Sequence, residues 1–278
     1  MHSIAHGTLS KMASHLAQPV EYSLRLGDEA IALNPHLRQK IKLRYTGAIF
    51  CESCGRKTKR SFSQGYCYPC FKKLASCDLC VVSPDRCHYD QGTCRDPEWG
   101  ERFCMQPHLV YLANSSAVKV GITKPDQLPT RWIDQGASQA LPVMRVATRQ
   151  QSGLVEVIFK QEVSDRTQWQ TMLKSEGARL DLRSFRDELF ATLDADIQAL
   201  QQRFGIQAIQ NDLDAQPVDI EYPVQQYPTK VVSLNFDKQP NIEGILLGIK
   251  GQYLIFDIGV INIRKFTSYE VELGGQFT

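Results

Sequence analysis

Residues 51–70 read CESCGRKTKRSFSQGYCYPC and contain two Cys-x2-Cys pairs that are separated by twelve residues. Two cysteines at this spacing can turn both sulfurs toward one ion, and two such pairs complete a tetrahedral set of four ligands. Zn²⁺ prefers four thiolates in this geometry, and a site closed by them leaves no position for water or substrate. The spacing therefore predicts a structural zinc site made of Cys51, Cys54, Cys67 and Cys70.

Five further cysteines follow and offer more thiols than one tetrahedral ion can use. They are Cys77, Cys80, Cys87, Cys94 and Cys104, and His88 adjoins the third. A second structural zinc is predicted here, with Cys77, Cys80, Cys94 and Cys104 as the preferred ligands. The spacing leaves open whether Cys87 or His88 replaces one of them.

Two other arrangements of the cysteines compete with this assignment. In a cross-braced arrangement, the pair Cys51/Cys54 shares one ion with the pair Cys77/Cys80. In the other, the cysteines are buried or disulfide-bonded and bind no metal. An odd total of nine cysteines and the repeated Cys-x2-Cys spacing favour reduced thiols and metal over a disulfide framework.

The composition is ordinary for a globular protein, with 42% hydrophobic and 22% charged residues in 278. This length allows two or three compact units. His6, Lys11 and His15 interrupt the first residues, so no secretory signal is predicted. No apolar run reaches the length of a membrane span. Together with reduced cysteines, these features predict a cytoplasmic protein without membrane association.

The formal net charge of +2 is unevenly distributed along the chain. Between residues 51 and 76, six basic side chains stand against Glu52 alone. An ion held by four thiolates carries a formal charge of about −2, so this zinc finger would still be positive. Such a surface either binds phosphate or is simply solvated. The residues predicted to contact a nucleic-acid backbone are Lys57, Lys59, Arg60, Lys72 and Lys73.

Both ends of the chain have strand patterns. Apolar and polar residues alternate over residues 22–26 and 41–45, and the second strand runs into the first cysteine pair. The segments 231–236, 244–249, 253–258 and 260–265 also read as strands, and the proline-containing segment 211–228 before them reads as a linker. We expect a small barrel or sheet at the C-terminus that the N-terminal strands help to complete.

The middle of the chain combines a hairpin with helices. Strands at 109–113 and 118–123 flank a polar turn, and a short helix at 131–135 follows. A strand at 143–148 precedes a helix for which Ser152 is the candidate N-cap. Apolar residues then repeat every three or four positions from Leu182 to Phe204, which predicts one amphipathic helix of several turns.

The segments Val110-Tyr111-Leu112 and Lys119-Val120-Gly121-Ile122-Thr123, followed by Arg131 and Glu156, resemble the GIY-YIG nuclease superfamily over residues 108–163. The resemblance implies that two strand motifs, a helical arginine and a helical glutamate surround the scissile phosphate. The glutamate then holds one Mg²⁺ or Mn²⁺. The residues that match are Tyr111, Lys119 in place of the second tyrosine, Arg131 and Glu156, with Glu162 as the alternative carboxylate.

Each of these residues also has a purely structural interpretation. Tyr111 would be a half-buried strand residue, Arg131 a surface helix residue, and Glu156 a partner for Lys160 one turn later. The segments 92–95 and 131–137 also resemble an uncharacterised bacterial family of cysteine-rich proteins that is known only as a domain of unknown function. That second resemblance covers most of the chain and implies no activity.

The sequence therefore predicts an α+β protein with a zinc-ribbon-like module, a GIY-YIG-like α/β domain with a helical extension, and flanking small β units. The predicted boundaries are 1–50 for an N-terminal β unit, 51–107 for a double zinc-binding module, 108–210 for the GIY-YIG-like domain, and 211–278 for a linker and C-terminal β unit. The predicted function is binding of DNA or RNA with divalent-metal-dependent endonuclease activity. The alternative is a non-catalytic zinc-finger module that docks on a protein or ribonucleoprotein. A zinc hydrolase is disfavoured because closed thiolate sites leave no place for water.

Overall fold

The computed structural model describes residues 3–164 and 166–275 and shows a mixed α/β protein with several small antiparallel sheets. The strands are β1 (Ser3–Thr8), β2 (Ala13–His15), β3 (Glu21–Leu26), β4 (Glu29–Ala32), β5 (Lys40–Phe50), β6 (Lys57–Thr58), β7 (His108–Asn114), β8 (Val118–Thr123), β9 (Gln139–Val146), β10 (Ile209–Asn211), β11 (Val218–Asp219), β12 (Asn241–Lys250), β13 (Tyr253–Phe256), β14 (Gly259–Asn262) and β15 (Tyr269–Gly275). The helices are α1 (Tyr68–Lys73), α2 (Leu79–Val82), α3 (Pro97–Phe103), α4 (Thr130–Asp134), α5 (Arg149–Phe159), α6 (Trp169–Met172), α7 (Leu182–Thr192) and α8 (Asp194–Phe204). No helix among the described residues is long and apolar enough to cross a membrane.

Strands from both ends of the chain form the largest sheet, in the order β1-β15-β5-β12-β13-β14, with β6 beside β5. Alternate residues of β5 and β15, among them Leu43 and Leu273, point into the core and are fully buried. The expectation that N-terminal strands complete the C-terminal β unit is confirmed. Because β5 ends at Phe50, this sheet carries the chain directly to Cys51.

The middle sheet has the order β10-β9-β7-β8, with β11 also paired to β9. The predicted hairpin is confirmed as β7 and β8, with Tyr111 directly opposite Gly121. Val155 and Phe159 of α5 pack against the face of this sheet that contains Val110 and Leu112. Helix α5 therefore has a fixed position next to the hairpin.

Helix α4 lies where the large sheet and the middle sheet meet. Its Trp132 and Ile133 are buried in one core with residues of both sheets. The Tyr222 hydroxyl donates to the Ala137 carbonyl oxygen just after the helix (2.8 Å), and the Gln252 side-chain amide donates to Asp134 (2.8 Å). Tyr222 lies in the segment that was predicted as a linker, but this part of the chain is packed against α4 and is not a free connection. These hydrogen bonds hold α4, the helix that carries Arg131, in place.

Two helix predictions were wrong in detail. The N-cap of α5 is Thr148, whose hydroxyl accepts from the Gln151 N–H while the Gln151 side chain accepts from the Thr148 N–H. Ser152 lies inside the helix, is fully buried, and donates to the Arg149 carbonyl oxygen. The capping box places the helix start one turn earlier than Ser152 because two orphan N–H groups are satisfied there.

The predicted long helix from Leu182 to Phe204 is two helices, α7 and α8, which are interrupted at Leu193. The apolar repeat continues through the break because both helices pack on the same core, and Leu193 itself is buried. The strand predicted at 231–236 is also wrong, since the structure has there only an isolated bridge from Ser233 to Val260.

Candidate metal centre and basic cleft

Four cysteines come together where β5 ends and α1 begins. The sulfurs of Cys51, Cys54, Cys67 and Cys70 all lie within 4.8 Å of one another. A tetrahedral zinc site with Zn–S distances of about 2.3 Å separates its sulfurs by about 3.8 Å. The Cys54 and Cys67 sulfurs are 3.8 Å apart, which fits this geometry. The set matches the predicted first site, and the described Cys77 and Cys80 lie outside it, against the cross-braced arrangement.

The backbone around this cluster favours a thiolate at Cys51. Burial raises the pKa of the Cys51 thiol, but N–H groups of Cys67, Cys54 and Ser53 outweigh burial and lower the pKa to about 6. A hydrogen bond with Cys67, together with burial, raises the pKa of the Cys70 thiol to about 12. Zn²⁺ requires all four groups as thiolates and supplies the positive charge that makes this favourable. The cluster is therefore a good fit for one zinc ion.

Four of the remaining cysteines line one small cavity between α2 and α3. These are Cys80, Cys87, Cys94 and Cys104, and His88 also borders the cavity. The cavity volume of about 10 Å³ accommodates about one water-sized sphere, which is room for a single ion.

Cys77, a member of the preferred second set, lies away from this cavity. It ends a 3₁₀ turn and lies near the Ser76 and Ser63 side chains. Ligand atoms of Asp78, Cys80 and His88 also lie within 4.8 Å of one another. Asp78, however, already pairs with the Arg95 guanidinium at 2.6 Å and accepts from the Cys80 N–H. The four thiols share only the cavity lining and do not form such a close group among the described residues, so a second metal site made of four cysteines stays a prediction.

A cleft of about 780 Å³ is lined in part by Glu52, Gln64 and Tyr66 of the segment that contains the four cysteines, and we call it the basic cleft. Two carboxylates line it, Glu52 and Glu156, and they are outnumbered by cationic side chains. Lys11 and Lys124 pair with Asp134 (3.0 Å) and Asp126 (3.2 Å) outside the lining, so the positive charge that attracts phosphate comes mainly from the arginines. Its cationic residues are Lys11, Arg25, Lys124, Arg131, Arg149 and Arg264.

Of the four residues carried over from the GIY-YIG resemblance, two line the basic cleft and a third lies behind them. Arg131 on α4 and Glu156 on α5 line it. Tyr111 on β7 is fully buried behind them, with its ring 6.1 Å from that of Trp132. Burial raises the pKa of the Tyr111 hydroxyl, the neighbouring Arg131 and Gln135 oppose that rise, and Glu156 adds to it. Tyr111 is therefore close to both residues without being exposed in the cleft.

Lys119, the fourth residue of the resemblance, does not line the basic cleft. Its side chain is buried, and its Nζ donates to the Thr167 hydroxyl at 2.6 Å. The alternative carboxylate, Glu162, lies exposed beyond the end of α5 and also does not line the cleft. Of the two candidate carboxylates, Glu156 lines the cleft and Glu162 does not.

The motif search missed Arg149 and Arg264, which line the same cleft. Arg149 is the first residue of α5, and its guanidinium lies 5.4 Å from the centre of the Phe103 ring and donates to the Val81 carbonyl oxygen. Arg264 lies in the turn after β14. Burial lowers the pKa of both guanidinium groups. Only tertiary packing brings these distant positions together, so no local pattern could have revealed them.

The basic finger contributes to a second cavity. Lys59 and Arg60 line a space of about 580 Å³, which we call the outer basin. The other predicted phosphate contacts, Lys57, Lys72 and Lys73, are exposed and line neither the cleft nor the basin.

The fold and these sites define a mixed α/β protein with a cluster of four cysteines that could hold a metal ion, together with a basic cleft. Residues 38–271 match the family described as "Protein of unknown function (DUF2797)", and the chain therefore belongs to this family. The predicted membership of an uncharacterised family is confirmed. No curated protein and no solved structure was found to match the chain.

Proposed function

We propose that the protein binds nucleic acid through its backbone phosphates in the basic cleft and cleaves phosphodiester bonds there with a divalent cation. The observation that supports this most strongly is that Arg131 and Glu156 line one cleft in which arginines provide an excess of positive charge. The two residues come from different helices, α4 and α5. The GIY-YIG resemblance predicted the same pairing from local motifs.

The arginines have the chemistry to hold a phosphate. A guanidinium offers several N–H donors in a planar fork that matches phosphate oxygens, and Arg131, Arg149 and Arg264 all line the cleft. Charge developing on the phosphate during attack is stabilised by such fixed donors. These residues thus bind and orient the scissile group.

Glu156 is the residue that would hold Mg²⁺ or Mn²⁺. Its side chain is largely buried at the cleft wall and pairs with Lys160 at 3.4 Å. Mg²⁺ is commonly held by one or two carboxylates together with substrate phosphates and water, so one glutamate suffices when nucleic acid is bound. The ion would polarise the phosphate and activate water. Tyr111 is buried behind Arg131 and would support the arginine by packing, not by contact with the substrate.

The zinc ions have a structural role in this proposal. One ion is held by the Cys51 cluster of a zinc-ribbon-like module, and a second by Cys80, Cys87, Cys94 and Cys104. The second set lies next to Arg149, because the Arg149 N–H donates to the Cys104 carbonyl oxygen at 2.8 Å. Zinc would therefore stiffen one wall of the cleft. Nine free cysteines suit a reducing compartment such as the cytoplasm.

A second candidate function is docking of a protein partner without catalysis. It is favoured by apolar side chains on the cysteine-rich segment, since Tyr68, Leu79 and Val82 are 55%, 58% and 76% exposed. Docking through these side chains would depend weakly on salt. Phosphate binding loses affinity steeply as salt rises.

The cleavage proposal is tested with branched and single-stranded DNA and RNA in the presence and absence of added Mg²⁺. We expect Mg²⁺-dependent nicking that Glu156→Gln abolishes while nucleic-acid binding persists. The matched control is Glu162→Gln, which removes a carboxylate outside the cleft and should cleave normally. Equal cleavage by Glu156→Gln and the wild type would remove Glu156 from the mechanism.

A further inference from the structure

The basic cleft and the outer basin are joined through shared residues. Arg264 and Gln64 line both cavities. The Arg264 Nε donates to the Gln64 side-chain oxygen at 2.7 Å, which links the turn after β14 to the zinc finger. The wall between the two cavities is therefore formed by one hydrogen-bonded pair of side chains. A ligand that contacts Arg264 can therefore extend into both the basic cleft and the outer basin.

The outer basin is also cationic. Lys59 and Arg60 enter it from the finger, and Arg264 and Lys265 enter from the turn after β14. The described lining contains one carboxylate, Asp237, which accepts a hydrogen bond from the Tyr269 hydroxyl at 3.0 Å. Positively charged side chains thus continue from the cleft, past Arg264, to the finger. A nucleic-acid strand has a phosphate at every nucleotide, so such a continuous row of cations could contact several of its phosphates.

The sizes of the cavities indicate what kind of ligand fits. The basic cleft has a volume of about 780 Å³ and the basin about 580 Å³. Together they exceed the roughly 1,000 Å³ upper end of small-molecule sites, but each alone has the size of such a site. Individual nucleotides fit spaces of this kind, whereas a stacked duplex does not. Tyr66 lines the cleft and provides one partly exposed ring for contact with a base.

We infer that a single nucleic-acid strand runs from the basic cleft across Arg264 into the outer basin, so that the zinc finger holds the strand beyond the phosphate in the cleft. This inference rests on the proposed function, and it names the substrate as an extended strand. Short fragments occupy the cleft alone. Longer strands gain the contacts with Lys59, Arg60 and Lys265.

The test measures binding of fluorescent oligothymidylates, from about four to about sixteen nucleotides, by anisotropy over a range of salt concentrations. The variant is the double substitution Lys59→Ala with Lys265→Ala. Its matched control is Arg183→Ala with Arg203→Ala, which removes two exposed charges on α7 and α8 outside both cavities. Circular dichroism and zinc content verify that each variant keeps its fold.

We expect affinity to rise with strand length in the wild type and in the control. In the basin variant, the longest strand should lose at least about tenfold in affinity, and its salt slope should fall by about 1.4 for the two lost charges. The shortest strand should bind the variant and the wild type equally. Length-independent binding, or an unchanged long-strand affinity in the basin variant, overturns the strand path and leaves the proposed function standing. Absence of binding at every length overturns the proposed function itself.

Discussion

The Tyr111 ring lies directly over Gly121 on the neighbouring strand. A Cβ atom at residue 121 would lie 2.6 Å from the Tyr111 hydroxyl oxygen, closer than real Cβ contacts permit. The two residues face each other across the β7–β8 ladder. Only glycine leaves room for the ring, and the ring lies close to Arg131. The tyrosine and the glycine of the hairpin motif therefore form one packing unit.

Gly121→Ala should destabilise the protein by about 1–3 kcal/mol, because the added methyl group overpacks a core position and displaces the tyrosine ring. Denaturant unfolding at neutral pH measures this change. The double variant Gly121→Ala with Tyr111→Leu should recover part of the loss, since the clashing ring is gone. Additive losses in the double variant would show that the two residues do not interact.

The second zinc site gives a prediction on stoichiometry. Elemental analysis of the purified protein should find two zinc ions per chain, one at the Cys51 cluster and one at the proposed second set of thiols around the small cavity. Cys80→Ser and Cys104→Ser should each lose one ion because a site with three thiolates binds more weakly.

Cys77→Ser is the matched control for these substitutions and should retain both ions. Its thiol lies near Ser63 and Ser76 and does not line the second cavity. Loss of one ion from Cys77→Ser, or a single ion in the wild type, would contradict this ligand set.

His108 gives a prediction on pH. Burial lowers the pKa of its imidazole to about 4, Arg149 and Lys124 lower it further, and the Gln106 carbonyl oxygen and Asp126 oppose the shift. The unfolded chain therefore binds more protons than the folded one between pH 6.5 and about 4. As the pH is lowered through that window, the free energy of unfolding should therefore decrease by about 1.4 kcal/mol for each pH unit.

The measurement is denaturant unfolding at a series of pH values, compared with His108→Gln. The variant lacks the titrating ring but keeps a donor for the Gln106 carbonyl oxygen, which His108 Nδ1 contacts at 2.7 Å. Its profile should be flatter from pH 6.5 to 4, while carboxylates and thiolates contribute equally to both proteins. Parallel profiles would show that His108 is not the source of the pH dependence.

The sequence predicted elements whose signals are local. The β7–β8 hairpin, α4 and the first cysteine group all follow from patterns within about twenty residues, because pleat alternation and ligand spacing are local properties. The N-cap of α5 at Thr148 could also have been predicted from the sequence, because Gln151 three residues later completes a capping box.

The remaining features depend on contacts that spacing does not encode. Strand β15 pairs with β1 and β5, which are more than two hundred residues earlier in the chain. Arg264 enters the basic cleft only because that sheet packs against α4. The Cys-x2-Cys spacing predicts that Cys77 and Cys80 bind the same ion. In the structure, Cys77 ends a 3₁₀ turn and does not line the small cavity that Cys80 lines.

The most direct test of the account is the salt dependence of nucleic-acid binding by the wild type and by Arg131→Ala, with Arg183→Ala as the control. We predict that the logarithm of the affinity falls linearly with the logarithm of the salt concentration. The slope should fall by about 0.7 for single strands when Arg131 is removed, and should stay unchanged in the control. Salt-independent binding, or identical slopes for Arg131→Ala and the wild type, would contradict the assignment of the basic cleft as a phosphate-binding site.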